Sequence, residues 1–208
     1  MQGRQTTLIW QDGILLSPGK ILPGDRVHNG MRIWLPEKSK VAALCHLNGE
    51  PLIRDARILY LGAASGTTVS FLSDYAEVIY AVEFSPRPVR SLVRLARQRS
   101  NIIPFFMDAR NPERYLPFVE PVDILIQDIA QRDQVEIVIK NLCMLKKGGN
   151  LILFLKMLSM GVLKEYEEII DLSIILLKKA GITNMQVIPL EKYHAGHVAI
   201  TGVYYPKQ

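Results

Sequence analysis

Leu59-Tyr60-Leu61-Gly62-Ala63-Ala64-Ser65-Gly66-Thr67-Thr68 runs from apolar residues straight into small ones and then into two threonines. It reads as a buried strand feeding a turn that cradles a ligand. Gly62 and Gly66 let the chain turn tightly and bring a ligand close to the backbone, and the helix that follows aims its free N–H groups at that ligand. The spacing is neither the G-x-G-x-x-G of dinucleotide folds nor a P-loop with its Lys-Ser/Thr ending, so a pyrophosphate is disfavoured.

Outward from the turn, Val78-Ile79-Tyr80-Ala81-Val82 forms a second apolar run that closes on Glu83, 83 − 66 = 17 residues after Gly66. An acidic side chain at that place accepts both ribose hydroxyls of a nucleoside. A Gly-rich first turn and an acid at the end of the second strand imply an adenosine-containing ligand without a diphosphate, and S-adenosylmethionine (SAM) fits. The competing reading is an ordinary strand-to-helix turn followed by a stray surface glutamate.

The rest of the chain sets the frame for that turn. Its 208 residues suit one α/β domain, residues 51–208, with a small β-rich N-terminal subdomain over residues 1–50. With 49% hydrophobic and 22% charged residues, and no apolar run of membrane-spanning length, a soluble cytoplasmic enzyme is expected. Met1 to Thr7 lacks the apolar core of a secretory signal, and Cys45 and Cys143 are too few for a disulfide framework. The net charge of +5 is a mild bias toward anionic partners.

Up to about Glu50 short apolar pieces alternate with Asp12-Gly13, Pro18-Gly19, Pro23-Gly24 and Asn29-Gly30, which are turn signals between short strands. Beyond it, strands are expected near Ile58–Leu61, Val78–Val82, Ile102–Met107, Val122–Ile126 and Asn150–Leu155, separated by helical stretches. That alternation, with near-continuous apolar strands, predicts a parallel, doubly wound sheet buried on both faces. Gly148-Gly149 is read as ending a helix before the strand to Lys156, and Gly181 as closing a helix from about Val162 to Ala180. Met185–Pro189 and His197–Tyr204 read as a hairpin beyond Leu151–Leu155. Ser85-Pro86 opens a helix whose Arg90, Arg94 and Arg97 share a stripe, with Arg87 and Arg99 added. A solvated basic face and a face for RNA phosphates both fit that spacing.

Ligands of an open parallel sheet bind beyond the carboxyl ends of its strands. The Gly62–Thr68 turn, Glu83-Phe84, Asp108-Ala109, Asp128-Ile129-Ala130-Gln131 and Lys156 all fall there. Phe84 is placed to stack on an adenine, and Asp108 to accept from its exocyclic amine. Lys156 ends an apolar run beside Asp128, so the carboxylate is expected to hold the lysine for work on a hydroxyl. Lys40 heads a helix-like segment, and His197 begins the last apolar strand. His194 and His197 have no third ligand nearby, so no metal is expected.

These residues resemble the fibrillarin family in its short archaeal form, from about Ser39 to Pro206. The likeness rests on Leu61–Ser70, Tyr80–Ser85, Asn101–Pro104, Asp108–Arg110, Asp128–Gln131, His197–Ile200 and Gly202–Tyr204, without the Gly/Arg-rich N-terminal tail of eukaryotic members. The resemblance implies a Rossmann-like class I SAM-dependent methyltransferase sheet with a C-terminal antiparallel hairpin. It implies 2′-O-ribose methylation of rRNA, with tRNA as a further substrate. By the same likeness SAM would be held by Gly62, Ala63, Thr67, Thr68, Glu83, Phe84, Asp108, Ala109, Asp128, Ile129, Ala130 and Gln131. Lys40, Asp128, Lys156 and His197 match the Lys-Asp-Lys-His set associated with ribose methylation.

The implied partners are box C/D guide RNA with its target RNA, a Nop-family scaffold protein and a kink-turn-binding ribosomal-protein-like protein, with no membrane. The chain departs from the family after Lys156, where Met157-Leu158-Ser159-Met160-Gly161 replaces a polar, basic segment, and in a shortened turn after Asp74. A stand-alone SAM methyltransferase acting on free RNA or a small molecule, and a non-catalytic assembly subunit, are the two alternatives.

Overall fold

The computed structural model describes residues 8–48, 55–157 and 166–206. Two hairpins open it: β1 (Ile9–Gln11) pairs with β2 (Ile14–Ser17), and β3 (Val27–His28) with β4 (Met31–Ile33). Asp12-Gly13 and Asn29-Gly30 turn them with both residues at positive φ, the backbone that matches strand twist in a two-residue loop. The four strands form a small antiparallel sheet in the order β1-β2-β4-β3.

The alternation that follows is α1 (Lys40–Asn48), β5 (Ala56–Leu61), α2 (Thr67–Leu72), β6 (Ala76–Glu83), α3 (Pro86–Ala96) and β7 (Ile102–Phe106). It continues through β8 (Val122–Gln127), α4 (Gln134–Asn141), β9 (Leu145–Lys156), α5 (Tyr166–Lys179), β10 (Ile182–Pro189) and β11 (His197–Tyr204). The large sheet has the order β10-β11-β9-β8-β5-β6-β7. Strands β5 to β9 pair in parallel, and β10 and β11 add an antiparallel hairpin to β9. This is the expected doubly wound sheet with its C-terminal hairpin. Because β5 has β6 on one side and β8 on the other, the turn after β5 sits at the point where the winding reverses. Open α/β sheets bind ligands there.

Side chains alternate across the sheet with the period of two that strands impose. Ile58, Tyr60, Ile124 and Phe154 face one core, shared with Leu15 and Trp34 of the small sheet, Val41 and Leu44 of α1, Phe71 of α2 and Leu92 of α3. Leu59, Leu61, Leu125, Leu151 and Leu153 face the other, under Val135 and Val138 of α4 and Leu177 of α5. Burial on both faces explains the unbroken apolar runs.

Two expectations change, and a third falls outside the described residues. Gly148 and Gly149 do not end a helix but lie inside the twelve-residue β9, where pairing with β8 slips in register between Val122 and Ile124. Gly148 takes φ 78° at that irregularity, so the glycines mark a bulge rather than a cap. The start of the helix expected at Val162, like Leu158 to Gly161, lies outside the described residues. Arg99 is not part of an exposed basic face. It is buried and donates to the Asp74 carboxylate, to Ser73 Oγ at 3.0 Å and to the Lys20 carbonyl at 2.8 Å.

Asp74 is the hub that ties the small sheet to the large one. Its carboxylate also accepts from Arg32 Nη1 at 2.8 Å and from the Ser17 hydroxyl. Arg32, 1% exposed, further donates to Asp25 Oδ2 at 2.7 Å, to the Ser70 carbonyl at 3.0 Å and to Ser70 Oγ at 2.7 Å. Burial alone would raise Asp25, but the hydrogen bonds and charge of Arg32 bring its carboxyl below the usual range. The approach is so close that a Cβ on Gly19 would fall 1.8 Å from Asp74 Oδ1.

Candidate active site

The turn after β5 folds by backbone hydrogen bonds that its small residues leave room for. The Gly62 and Ala63 N–H groups both reach the Val82 carbonyl, at 2.9 and 3.0 Å, and the Asp128 N–H reaches the Leu61 carbonyl at 2.9 Å. Gly62 has φ 83°, and a Cβ there would meet the Asp128 carbonyl oxygen at 2.4 Å, so only glycine allows β5 and the β8 end to converge. Gly66, also left-handed, occupies the N-cap position of α2.

Around this turn lies an open cleft of about 210 Å³. Gly62, Glu83, Phe84, Asp108, Ala109, Asp128, Ile129, Ala130 and Gln131 all line it. Ala63, Thr67 and Thr68 do not. Thr68 donates to Ser39 Oγ at 3.1 Å, and Thr67 lines a separate, smaller cleft with Ser39 and Trp34. Met107 and Ile137 line the main cleft without having been singled out in the sequence, and Arg110, quoted there only as part of a motif, lines it too.

Glu83 is buried and its two oxygens each accept one backbone N–H, from Ala64 at 2.8 Å and Ser85 at 2.7 Å. The carboxylate is thereby fixed, with lone pairs left over for hydroxyl donors. Ser85 takes the expected N-cap position of α3, but no side-chain cap forms. Asp108 Oδ1 accepts the Arg110 N–H at 2.9 Å, so it caps its own loop while lining the cleft. Arg110 grips Asp133 with two hydrogen bonds of 2.7 and 2.9 Å and reaches Gln131 at 3.2 Å. Its guanidinium holds the Asp133 carboxyl below the usual carboxylate range. Phe84 leaves 56% of itself exposed at the cleft, an apolar ring in want of a flat partner.

The group set fits an adenosine ligand. Glu83 and Asp108 are acceptors for hydroxyl and amine donors, and Phe84 offers a stacking face. The carboxylates of Glu83, Asp108 and Asp128 line the cleft against the single cation Arg110, a net negative lining that disfavours a diphosphate and favours a cationic ligand.

The second half of the site is assembled from four elements. Ser39 caps α1, its Oγ accepting the Ala42 N–H at 3.3 Å, and this sets Lys40 as the first helical residue. Lys40 Nζ lies 2.6 Å from Asp128 Oδ1, so the carboxylate expected to hold Lys156 holds Lys40 instead. Lys156 ends β9 directly opposite His197, the first residue of β11. Its peptide is clamped by the buried Gln134, which accepts the Lys156 N–H at 2.9 Å and donates back to its carbonyl at 3.4 Å. Gln134 carries no local sequence signal, since it is only a glutamine at the start of a helix.

Burial lowers the His197 pKa, and the positive charge of Lys40 lowers it further against the opposing pull of the Ala195 carbonyl and Asp128. All three charged or titrating groups are therefore within electrostatic reach of one another. His197 Nδ1 lies 2.9 Å from the Ala195 carbonyl, which can only accept, so the neutral ring presents Nε2 as its acceptor. The His194 ring is committed elsewhere, to the Pro36 carbonyl at 2.8 Å.

The fibrillarin family model matches residues 19–206. A fibrillarin-like rRNA/tRNA 2′-O-methyltransferase from Methanospirillum hungatei is 70% identical over 197 residues, covering 95% of this chain and 96% of that protein. Among solved structures, the chain is similar to fibrillarin in a fibrillarin/Nop5p complex, with TM-score 0.84, 37% identity, and coverage of 97% and 98% of the two chains. It is similar also to Aeropyrum pernix fibrillarin with natively bound SAM, with TM-score 0.79, 35% identity, and coverage of 95% and 98%.

Proposed function

The chain belongs to the fibrillarin family, and from that premise we propose that it transfers the methyl group of SAM to ribose 2′-hydroxyls of rRNA and tRNA. It is a SAM-dependent RNA 2′-O-methyltransferase. The observation that carries this reading is the double position of Asp128, which lines the adenosine-fitting cleft and also holds Lys40 at 2.6 Å. Methyl donor and ribose are brought together at that residue.

SAM supplies, when bound, an electrophilic methyl carbon on a sulfonium. Glu83 accepts the two hydroxyls of its ribose, Phe84 covers the adenine and Asp108 accepts from the exocyclic amine. Ala63, Thr67 and Thr68 act behind these as the support of the turn. The target 2′-oxygen forms a bond to the methyl carbon as the carbon–sulfur bond breaks, and the hydroxyl proton must leave. Lys156, positioned by Gln134, orients that oxygen, and His197 Nε2 is the acceptor across the strand pair. Lys40, braced by Asp128, faces the ribose or a neighbouring phosphate. Alignment supplies most of the acceleration, because an in-line geometry converts a two-body encounter into one step.

A fibrillarin of the same fold has been solved with Nop5p. This chain is read as docking on a Nop-family scaffold together with a kink-turn-binding protein and a box C/D guide RNA, whose base pairing selects the nucleotide. The modest net charge of +5 suits an enzyme that delegates sequence reading. No described helix is long and apolar enough to cross a membrane, and the cytoplasm is the proposed place of action.

Reconstitution with the scaffold, the kink-turn protein, one guide RNA and SAM tests the reading. A 2′-O-methyl at the guide-selected nucleotide is expected. Methyl on a base, or on no RNA, refutes it.

A further inference from the structure

The exposed arginines of α3 are an electrostatic misfit that the fold does not explain. From Phe84 to Met107 the chain has no aspartate or glutamate. Arg87, Arg90, Arg94 and Arg97 are all exposed, and none has a carboxylate partner among the described residues. Arg26, Arg114 and Arg132 are likewise exposed and without a carboxylate partner among the described residues, but they are scattered along the chain, whereas the four of α3 share one helix.

The spacing makes the misfit worse. Arg87 to Arg90 and Arg94 to Arg97 are i, i+3 pairs, and Arg90 to Arg94 is i, i+4, so like charges lie one above another on the helix. Arg87 also stands in the first turn, where the helix dipole favours an anion, and no acid is there. A merely solvated face has no reason to accept repulsion at every step. Turned by 100° per residue, the four fall within one narrow stripe about 15 Å long, the rise of ten helical residues.

We propose that this stripe is a track for the phosphodiester backbone of the target RNA strand, guiding it to the catalytic edge. The proposal rests on the RNA-methylating reading above. Its first support is charge. Guanidinium forks match phosphate oxygens in pairs, and a stripe about 15 Å long faces several successive phosphates of one strand. Its second support is place. The helix starts at Pro86, two residues after Phe84 at the cleft, and packs its Val89 and Leu92 on the same sheet face as α1, which carries Lys40. Strand β6, which leads into α3, is three steps across the sheet from β9 and its Lys156. At about 4.8 Å per step that is roughly 14 Å, a separation that a single strand of a few nucleotides spans. An acidic protein would meet the charge requirement as well, but the substrate RNA is the polyanion that the reaction itself brings to this edge.

The test uses the full chain assembled with scaffold, kink-turn protein and guide RNA, and measures target-strand binding and methyl transfer across a salt series. Arg90→Gln/Arg94→Gln is expected to weaken target binding at least about 10-fold near physiological salt. It should also reduce the slope of log affinity against log salt by about 1.4 to 1.8, the counterions of two phosphate contacts. SAM affinity should stay as in the wild type, and the melting temperature should stay or rise, because like-charge pairs are gone. Arg90→Lys/Arg94→Lys should keep most of the slope. An active particle whose Gln variant shows an unchanged slope overturns the track. Loss of scaffold binding with target affinity intact overturns it in favour of a protein-facing surface. A wild-type particle that transfers no methyl at all overturns the methylation reading and this proposal with it.

Discussion

The carboxylates of Asp74 and Asp128 both sit against cationic side chains, yet one is sealed and the other is open. At Asp74 the side chain is 2% exposed, Arg32 1% and Arg99 6%, and both oxygens are taken by guanidiniums and the Ser17 hydroxyl. Only Arg99 Nε goes without a partner there among the described residues. At Asp128 the exposures are 26% for the carboxylate and 17% for Lys40, and no described group donates to Oδ2. The sealed cluster is a clasp between two sheets, where a charge exists to be satisfied. The open one keeps unsatisfied valence for a ligand. The same residue types thus serve stability or chemistry according to how many of their hydrogen-bonding sites the fold leaves vacant.

The contrast can be broken in order of size. Asp74→Ala leaves the buried Arg99 guanidinium without a carboxylate and Arg32 with Asp25 alone, and removing one partner of a buried pair costs about 3 to 5 kcal/mol. At about 2 to 4 °C per kcal/mol for a chain of this length, thermal melts should fall by roughly 6 to 20 °C. A melt within 2 °C of the wild type would sink the clasp. Lys156→Ala should do the reverse, lowering kcat for guide-directed methylation by about 10²- to 10⁴-fold with little change in melting temperature or SAM affinity. A wild-type rate in single-turnover assays would remove Lys156 from the chemistry.

Glu83→Gln lies between the two. One of its oxygens becomes an NH₂ facing the Ala64 or Ser85 N–H, and the charge proposed to accept the cofactor's ribose is lost. Calorimetry should report SAM binding weakened by about 1.5 to 3 kcal/mol, and unchanged binding would move the ribose site elsewhere. The smallest effect is on pH. Burial lowers the pKa of both His197 and His46, so the unfolded chain takes up protons first, at the ordinary value near 6.5. Their contribution to stability is intact above that value and is lost as pH falls from it through the lowered folded values. Urea midpoints should drop between pH 7.5 and 5.5 by less in His46→Gln/His197→Gln than in the wild type. Equal drops would mean that other groups control the acid limb.

Much of this was legible in the chain. The parallel strands could be read because burial on both faces leaves each an unbroken apolar run, as at Ile124 to Ile126 and Leu151 to Leu155. Glu83, Asp108 and Asp128 could be read because each follows such a run directly, and the carboxyl ends of parallel strands share one edge. The hairpin turns at Asp12-Gly13 and Asn29-Gly30 carry their own backbone geometry in their residue types. Gly148-Gly149 misled, because a glycine pair marks a helix end and a strand bulge alike. The lysine partner of Asp128 misled too: Lys156 is the neighbour by strand order, while Lys40 arrives from 88 positions away on the first turn of α1.

The amino-acid sequence by itself determined the elements, the cleft-facing acids and the glycine turn beside the cleft, because these follow from local patterns of period two, apolar runs and turn residues. Only the tertiary structure decided which charges meet. Arg32, Asp74 and Arg99 converge, Lys40 rather than Lys156 takes Asp128, and Gln134 grips the Lys156 peptide. Ion pairs and side-chain clamps reach across a few ångströms of space rather than along the chain, so no spacing in sequence records them.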